Sequence, residues 1–190
     1  SGTVITGSHN PSEYNGFKVL FNNKSTSSEE IQSIKKRIKN KDFLSGKGKT
    51  TNEEVVNSYI EEIIGNITLS KPLNIAIDCG NGAASILAKE VYENLGCKVN
   101  DLYCNLDGNF PNHHPDPSKP ENVKDLVDAV LTNKLDVGLA FDGDADRLGV
   151  ISPKGEMVFP DMQMILFSDF ILKKHPSSKI VFDVKCSKLL

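Results

Sequence analysis

No run of apolar residues in this chain is long enough to cross a membrane, so no membrane-spanning helix is expected within it. Nor is there an excess of positive charge. Lysines and arginines number 22 against 25 aspartates and glutamates, a net charge of −3, so no basic field invites nucleic acid. Cysteines are few: Cys79, Cys97, Cys104 and Cys186 show no paired metal-binding spacing and read as buried or edge thiols in a reducing cytosol, so the expected location is cytoplasmic. The first residues form no signal peptide and include no initiating methionine,. Hydrophobic residues, at 38%, suffice for a globular core.

Against this plain background one segment stands out. Val137 to Phe141 is an apolar run that reads as a buried strand, and it ends in Asp142-Gly143-Asp144-Ala145-Asp146-Arg147. Like charges about 5 Å apart repel by about 3 kcal/mol per pair at an effective dielectric of about 20. Such a loop needs a cation among its oxygens, and the fitting guest is a hard divalent ion. Asp and Gly also form plain solvated turns. On an extended or gently curved segment, however, alternate residues project to one side, so the three carboxylates converge while Gly143 and Ala145 keep the other side small.

An EF-hand loop also carries carboxylates at its first, third and fifth positions, but its sixth-position glycine would here be Arg147 and its twelfth-position glutamate Pro153,. The Asp-x-Asp of a haloacid-dehalogenase-like phosphatase fits less well: it wants Thr or Val soon after and gives no reason for a third Asp. Three carboxylates leave an octahedral ion open positions for water or phosphate oxygens. Arg147 beside them can bind phosphate fork to fork, although an Arg next to acids is as often a neutralising partner. Together they suggest phosphoryl transfer.

A second loop lies near the start. After the β-branched strand Thr3 to Thr6 come Gly7-Ser8-His9-Asn10-Pro11 and, before a second strand Phe17 to Phe21, Tyr14-Asn15-Gly16-Phe17-Lys18. Turn residues alone make this a connection between strands. Ser8 is nevertheless flanked by a glycine that lets backbone approach a ligand, by a histidine, and by Lys18 across the loop, a setting in which a serine can carry a phosphoryl group.

TGSHNP (6–11), YNGFK (14–18), DCGNG (78–82), DGNFPNHHPDP (107–117), DGDADR (142–147) and DVKC (183–186) resemble, in order and spacing, the α-D-phosphohexomutases, most of all their bacterial phosphomannomutase/phosphoglucomutase branch. The resemblance spans nearly the whole chain. It implies that Ser8 is carried as phosphoserine and, through its phosphate, joins Asp142, Asp144 and Asp146 as a ligand of Mg2+. It further implies interconversion of hexose 1-phosphate and 6-phosphate by two transfers through a hexose 1,6-bisphosphate. Lys18 and His9 become the candidates for the proton relay, Lys18 preferred, with Asn10 orienting the serine loop. Arg147 would contact the phosphoserine or incoming sugar, and Lys185 would reach the substrate. Phosphoglucosamine mutase and a non-catalytic magnesium or phosphate-binding module are the alternative readings. Many relatives have glycine at the position of Ala145, a small change for alanine at negative φ and a costly one otherwise.

The periodicity alternates. A polar helix from about Glu29 to Lys39 leads to a Gly/Lys/Thr-rich connector, Lys41 to Asn52. Then follow helix Glu53 to Ile64, strand Leu73 to Ile77, helix Ala83 to Leu95, strand Lys98 to Tyr103, helix Val123 to Asn133, strand Asp136 to Phe141, a strand from Leu148 to Ser152, helix Asp161 to Lys174 and strand Lys179 to Val184. This is an α/β pattern with mixed, mostly parallel sheets flanked by helices. Gly80-Asn81-Gly82 between strand and helix is a conceivable phosphate cradle, but more plainly a turn. His113 and His114, between prolines, read as structural.

The family resemblance implies several phosphohexomutase-type domains truncated at both ends: 1–52 as the C-terminal part of domain 1, 53–155 as domain 2, and 156–190 as the beginning of domain 3. The expected partners are a hexose phosphate, its bisphosphate and the rest of the parent chain (domains 3 and 4), with neither nucleic acid nor membrane. The 190 residues alone are expected to bind magnesium weakly and turn over little or nothing.

Overall fold

A computed structural model describes residues 1–7, 10 and 13–190. The chain opens with β1 (Gly2–Thr6) and β2 (Gly16–Phe21), an antiparallel pair in which Thr6 faces Gly16 and Val4 faces Lys18. The two-residue strand β3 (Lys24–Ser25) extends the pair to a three-stranded meander. Helix α1 (Ser28–Lys39) begins at a capping box. The Ser27 hydroxyl accepts from the Glu30 amide and the Glu30 carboxylate accepts from the Ser27 amide, which satisfies two amides that the helix leaves unpaired. Residues 41–55 then carry no regular structure.

The second unit comprises α2 (Val56–Asn66), β4 (Asn74–Asp78), α3 (Ala88–Asn94), β5 (Lys98–Leu102), α4 (Lys124–Asn133), β6 (Val137–Phe141), β7 (Leu148–Ile151), β8 (Met157–Val158) and α5 (Pro160–Lys174). Its sheet has the order β5-β4-β6-β7-β8. The pairings of β4 with β5 and β6 are parallel, whereas β6–β7 and β7–β8 are antiparallel. The α/β class stands as expected, with the parallel part confined to the three strands that alternate with helices. The antiparallel part follows from short turns, which can join only antiparallel neighbours.

Central strand β4 is buried on both faces. Ile75 and Ile77 pack with Ala84, Ala88 and Cys97, while Ala76 packs with Leu126 and Val130 of α4, Ala140 and Ile151. Helices thus cover both faces of the sheet, as buried parallel strands require. Gly138 lets α4 lie close: a Cβ there would stand 2.8 Å from Val130 Cγ2.

Two expected elements differ. The helix expected over 83–95 is divided into a 3-10 turn, Ala83–Ile86, and α3. The Ala83 amide donates to the carbonyl of Gly143 and the following bonds are i to i+3, so a tertiary tie tightens the first turn. The strand expected over Lys179–Val184 is irregular. Val181 and Val184 are almost fully exposed, and a β-branched segment with no neighbouring strand to pair with has no ladder to join.

A convergent acidic site at the carboxyl edge of the sheet

Because β4, β5 and β6 run parallel, the turns after all three meet at one edge, where α/β sheets place their ligands. The acidic loop joins β6 to β7 there. It is a tight turn and not the extended segment expected: the Ala145 amide donates to the Asp142 carbonyl at 3.1 Å, and the Arg147 amide donates to Asp142 Oδ1 at 3.0 Å. The carboxylates converge nonetheless. One oxygen from each of Asp142, Asp144 and Asp146 lies within 4.8 Å of the others.

Burial is graded across the three. Asp142 is fully buried, and the side chains of Asp144 and Asp146 are 14% and 54% exposed. Asp142 Oδ2 is buried and receives no hydrogen bond among the described residues. Burial, followed by the charges of Asp144 and Asp146, pushes the Asp142 carboxyl above its ordinary range against the opposing Arg147 amide. A buried oxygen that receives no hydrogen bond among the described residues, in a set of three hard donors, fits a divalent cation, and Asp142, Asp144 and Asp146 are the residues that would hold it,.

Two cations and a hydroxyl border the carboxylates. Lys18 Nζ lies 3.6 Å from Asp144 and 3.9 Å from Asp146, and Arg147 Nε lies 3.8 Å from both Asp142 and Asp146. Both side chains are more than half exposed, so they offset little of the repulsion. Thr6 Oγ1 donates to Asp144 Oδ2 at 2.9 Å. The β1–β2 pair therefore reaches the acidic loop through Thr6 and Lys18, and a groove of about 390 Å3 runs between them, bordered by Asn10, Asn81 and Asp144.

Of the residues singled out in the sequence, Lys18, Arg147 and the three aspartates come together. Asn10, exposed, borders the groove and donates its amide to the Gly7 carbonyl at 3.0 Å. Ser8 and His9 lie outside the described residues. Lys185 sits in an exposed turn against the start of α5, with its amide donating to Asp183. Among the described residues, no ion pair or hydrogen bond links it to the acidic loop.

The 78–83 turn is a support and not a phosphate cradle. The Gly80 amide donates to Asp78 Oδ1, Asn81 to the Tyr103 carbonyl, Gly82 to the Cys79 carbonyl and Ala83 to the Gly143 carbonyl. All four amides are thus spent inside the protein. Gly82 permits the contact with the acidic loop, since a Cβ there would stand 2.8 Å from the Gly143 oxygen.

The 107–117 loop in turn holds this turn. Asn112 Nδ2 donates to Asn81 Oδ1 at 2.7 Å, and His113 Nε2 lies 3.0 Å from Asp78 Oδ2. Sequence reasoning missed this relay and Thr6. The available signal for it was Asp78, a carboxylate that follows the buried apolar run Ile75-Ala76-Ile77.

Ala145 adopts φ +61°, the left-handed conformation that disfavours a Cβ. Ala145→Gly is expected to raise stability by about 0.5–1 kcal/mol, the strain relieved less the extra entropy of the unfolded chain. Urea denaturation of both proteins measures it, and an unchanged or lower midpoint would count against the strain.

Comparison with known proteins decides the lineage. Residues 57–155 match the model for phosphoglucomutase/phosphomannomutase alpha/beta/alpha domain II, and residues 1–45 match that for domain I. The chain belongs to the phosphoglucomutase/phosphomannomutase family. Within that family it is 46% identical over 190 residues to a phosphomannomutase/phosphoglucomutase of Pseudomonas putida, covering 100% of this chain and 41% of that protein. It is 45% identical over 192 residues to a phosphoglucomutase of Neisseria gonorrhoeae, covering 100% and 42%. The crystal structure of a phosphoglucomutase/phosphomannomutase family protein from Burkholderia thailandensis superposes with a TM-score of 0.91 at 42% identity, over 98% of this chain and 41% of that one. The chain thus spans about two fifths of the length of these relatives.

Proposed function

We propose that this chain is the part of a cytoplasmic, magnesium-dependent phosphohexomutase that carries the phosphoserine and the metal ligands, in a protein interconverting mannose and glucose 1- and 6-phosphates. The observation that carries the reading is the convergence of three carboxylates, with one buried oxygen that receives no hydrogen bond among the described residues, in a chain whose relatives are named phosphomannomutase/phosphoglucomutase. Residues 1–52, 53–155 and 156–190 are assigned to the end of domain 1, to domain 2 and to the start of domain 3. The remaining domains 3 and 4 of the parent chain would complete the site.

Ser8 donates its phosphoryl group to a hydroxyl of the hexose phosphate and, after the 1,6-bisphosphate turns over in the site, takes back the other. Asp142, Asp144 and Asp146 hold Mg2+, which when bound offsets their charge and stabilises charge on the phosphoryl oxygens in transit. Lys18, which lies beside Asp144 and Asp146, is the preferred candidate to take the proton from the attacking hydroxyl and return it, with His9 as the second. Asn10 orients the serine loop, Arg147 presents its guanidinium to the phosphate, and Lys185 reaches the sugar phosphate.

Intact-mass measurement of the full-length protein tests this. A phosphoryl group on Ser8, gained on incubation with glucose 1,6-bisphosphate, is the expected result. A protein that never carries phosphate at Ser8 under any condition would be a binding module instead. Parallel assays on mannose 1-phosphate and glucosamine 1-phosphate measure the sugar preference, with the first expected to turn over faster.

A further inference from the structure

Two thiols lie together outside the acidic site. Cys79 follows β4 and Cys104 follows β5, the parallel neighbour in which Leu102 faces Asp78. The Cys79 amide donates to the Leu102 carbonyl at 3.1 Å. The Cys104 and Cys79 sulfurs lie 2.9 Å apart, within hydrogen-bonding distance. An S–S bond of about 2.05 Å requires the sulfurs to close by less than an ångström.

We propose that Cys79 and Cys104 form a peroxide-oxidisable dithiol, a reversible disulfide site that pins the 78–83 turn to the end of β5. The two sulfurs have distinct parts. Cys79 is fully buried in the core with Ile75, Ile77 and Ala84, whereas Cys104 is only half-buried. Their shared hydrogen bond draws the Cys104 thiol below its ordinary range. The same bond, together with burial, pushes Cys79 above its own.

Cys104, as the accessible thiolate, attacks one oxygen of hydrogen peroxide. The O–O bond breaks and hydroxide leaves with the thiol's former proton as water, giving a sulfenic acid. Cys79 sulfur then attacks Cys104 sulfur, the S–O bond breaks, and the departing oxygen takes the Cys79 proton as a second water. Two electrons pass from the thiol pair to one peroxide. The bond closes the chain between positions 25 residues apart and so constrains the unfolded state. It acts on the turn whose Ala83 amide holds Gly143 of the acidic loop.

Stoichiometric hydrogen peroxide on the protein, followed by intact-mass measurement and peptide mapping, tests the proposal. The expected result is loss of two hydrogens, a Cys79–Cys104 linked peptide, and full reversal by dithiothreitol. In Cys79→Ser the reaction is expected to stop at a Cys104 sulfenic acid that dimedone traps, and in Cys104→Ser the loss of hydrogens disappears. Oxidation of wild type to an unlinked Cys104 sulfinic acid, or a link confined to Cys97 or Cys186, would overturn it. The wild-type peptide map decides the matter even if a variant fails to fold.

Discussion

Asp142→Asn in the full-length protein is expected to lower turnover by roughly 100-fold or more and at the same time to make the metal-free protein more stable. The two effects share a cause. Asp142 is fully buried, with one oxygen that receives no hydrogen bond among the described residues, only a half-exposed Arg147 3.8 Å away, and two more carboxylates converging on it, so without a metal ion its charge is a liability of about 3 kcal/mol per pair before screening. The amide keeps the oxygen that accepts from Arg147 and removes the charge. A gain of about 2 kcal/mol in the presence of EDTA follows, whereas wild type alone gains stability from Mg2+, by about 2.7 kcal/mol at a hundredfold excess over Kd. Thermal melts with and without Mg2+ read both signs. A variant less stable than wild type in EDTA, or one that still gains from Mg2+, would contradict the account. Ser8→Ala is the counterpart: it is expected to lose turnover while retaining Mg2+ binding, because the carboxylates stay in place.

Asp78→Asn is expected to cost about 3 kcal/mol, or roughly 6–12 °C in Tm for a chain of this size. Asp78 is 1% exposed and holds both His113 and the Gly80 amide. His113 has an acceptor at each ring nitrogen, since Nδ1 lies 3.0 Å from the His114 carbonyl and Nε2 lies 3.0 Å from Asp78. Only the imidazolium can donate to both. The Asp78 hydrogen bond, helped by that carbonyl, holds the His113 pKa above its ordinary value against the effect of burial.

The sign for pH follows. A raised folded pKa means that the pair's contribution is complete below about 6.5, the unfolded value, and is lost as pH rises through the higher folded value. Denaturation midpoints from pH 6 to 9 are expected to decline in wild type and to decline less in His113→Gln. Equal slopes would show that His113 is not the titrating group. Because the 78–83 turn holds Gly143, Asp78→Asn is also expected to weaken Mg2+ binding, by about 10-fold.

Local chemistry made much of this legible in the sequence. The acidic loop announced itself through charge crowding at the end of an apolar strand, and most helices and strands through their periodicity. What escaped was non-local. That Ala83 is tied to Gly143, and His113 to Asp78 from 35 residues away, depends on which parallel strands become neighbours, and no local pattern encodes that. The carboxylates converge through a turn with Ala145 in the left-handed region and not through the alternation of an extended segment. The strand expected just before Lys185 is irregular, and Lys185 lies in an exposed turn by the start of α5.

The claim on which everything rests is that Asp142, Asp144 and Asp146 ligate one divalent ion. Anomalous diffraction from crystals grown with Mn2+ in place of Mg2+ measures this most directly. A single strong peak about 2.1 Å from one oxygen of each aspartate is expected. A peak ligated elsewhere, or none at the three aspartates at saturating Mn2+, would contradict it.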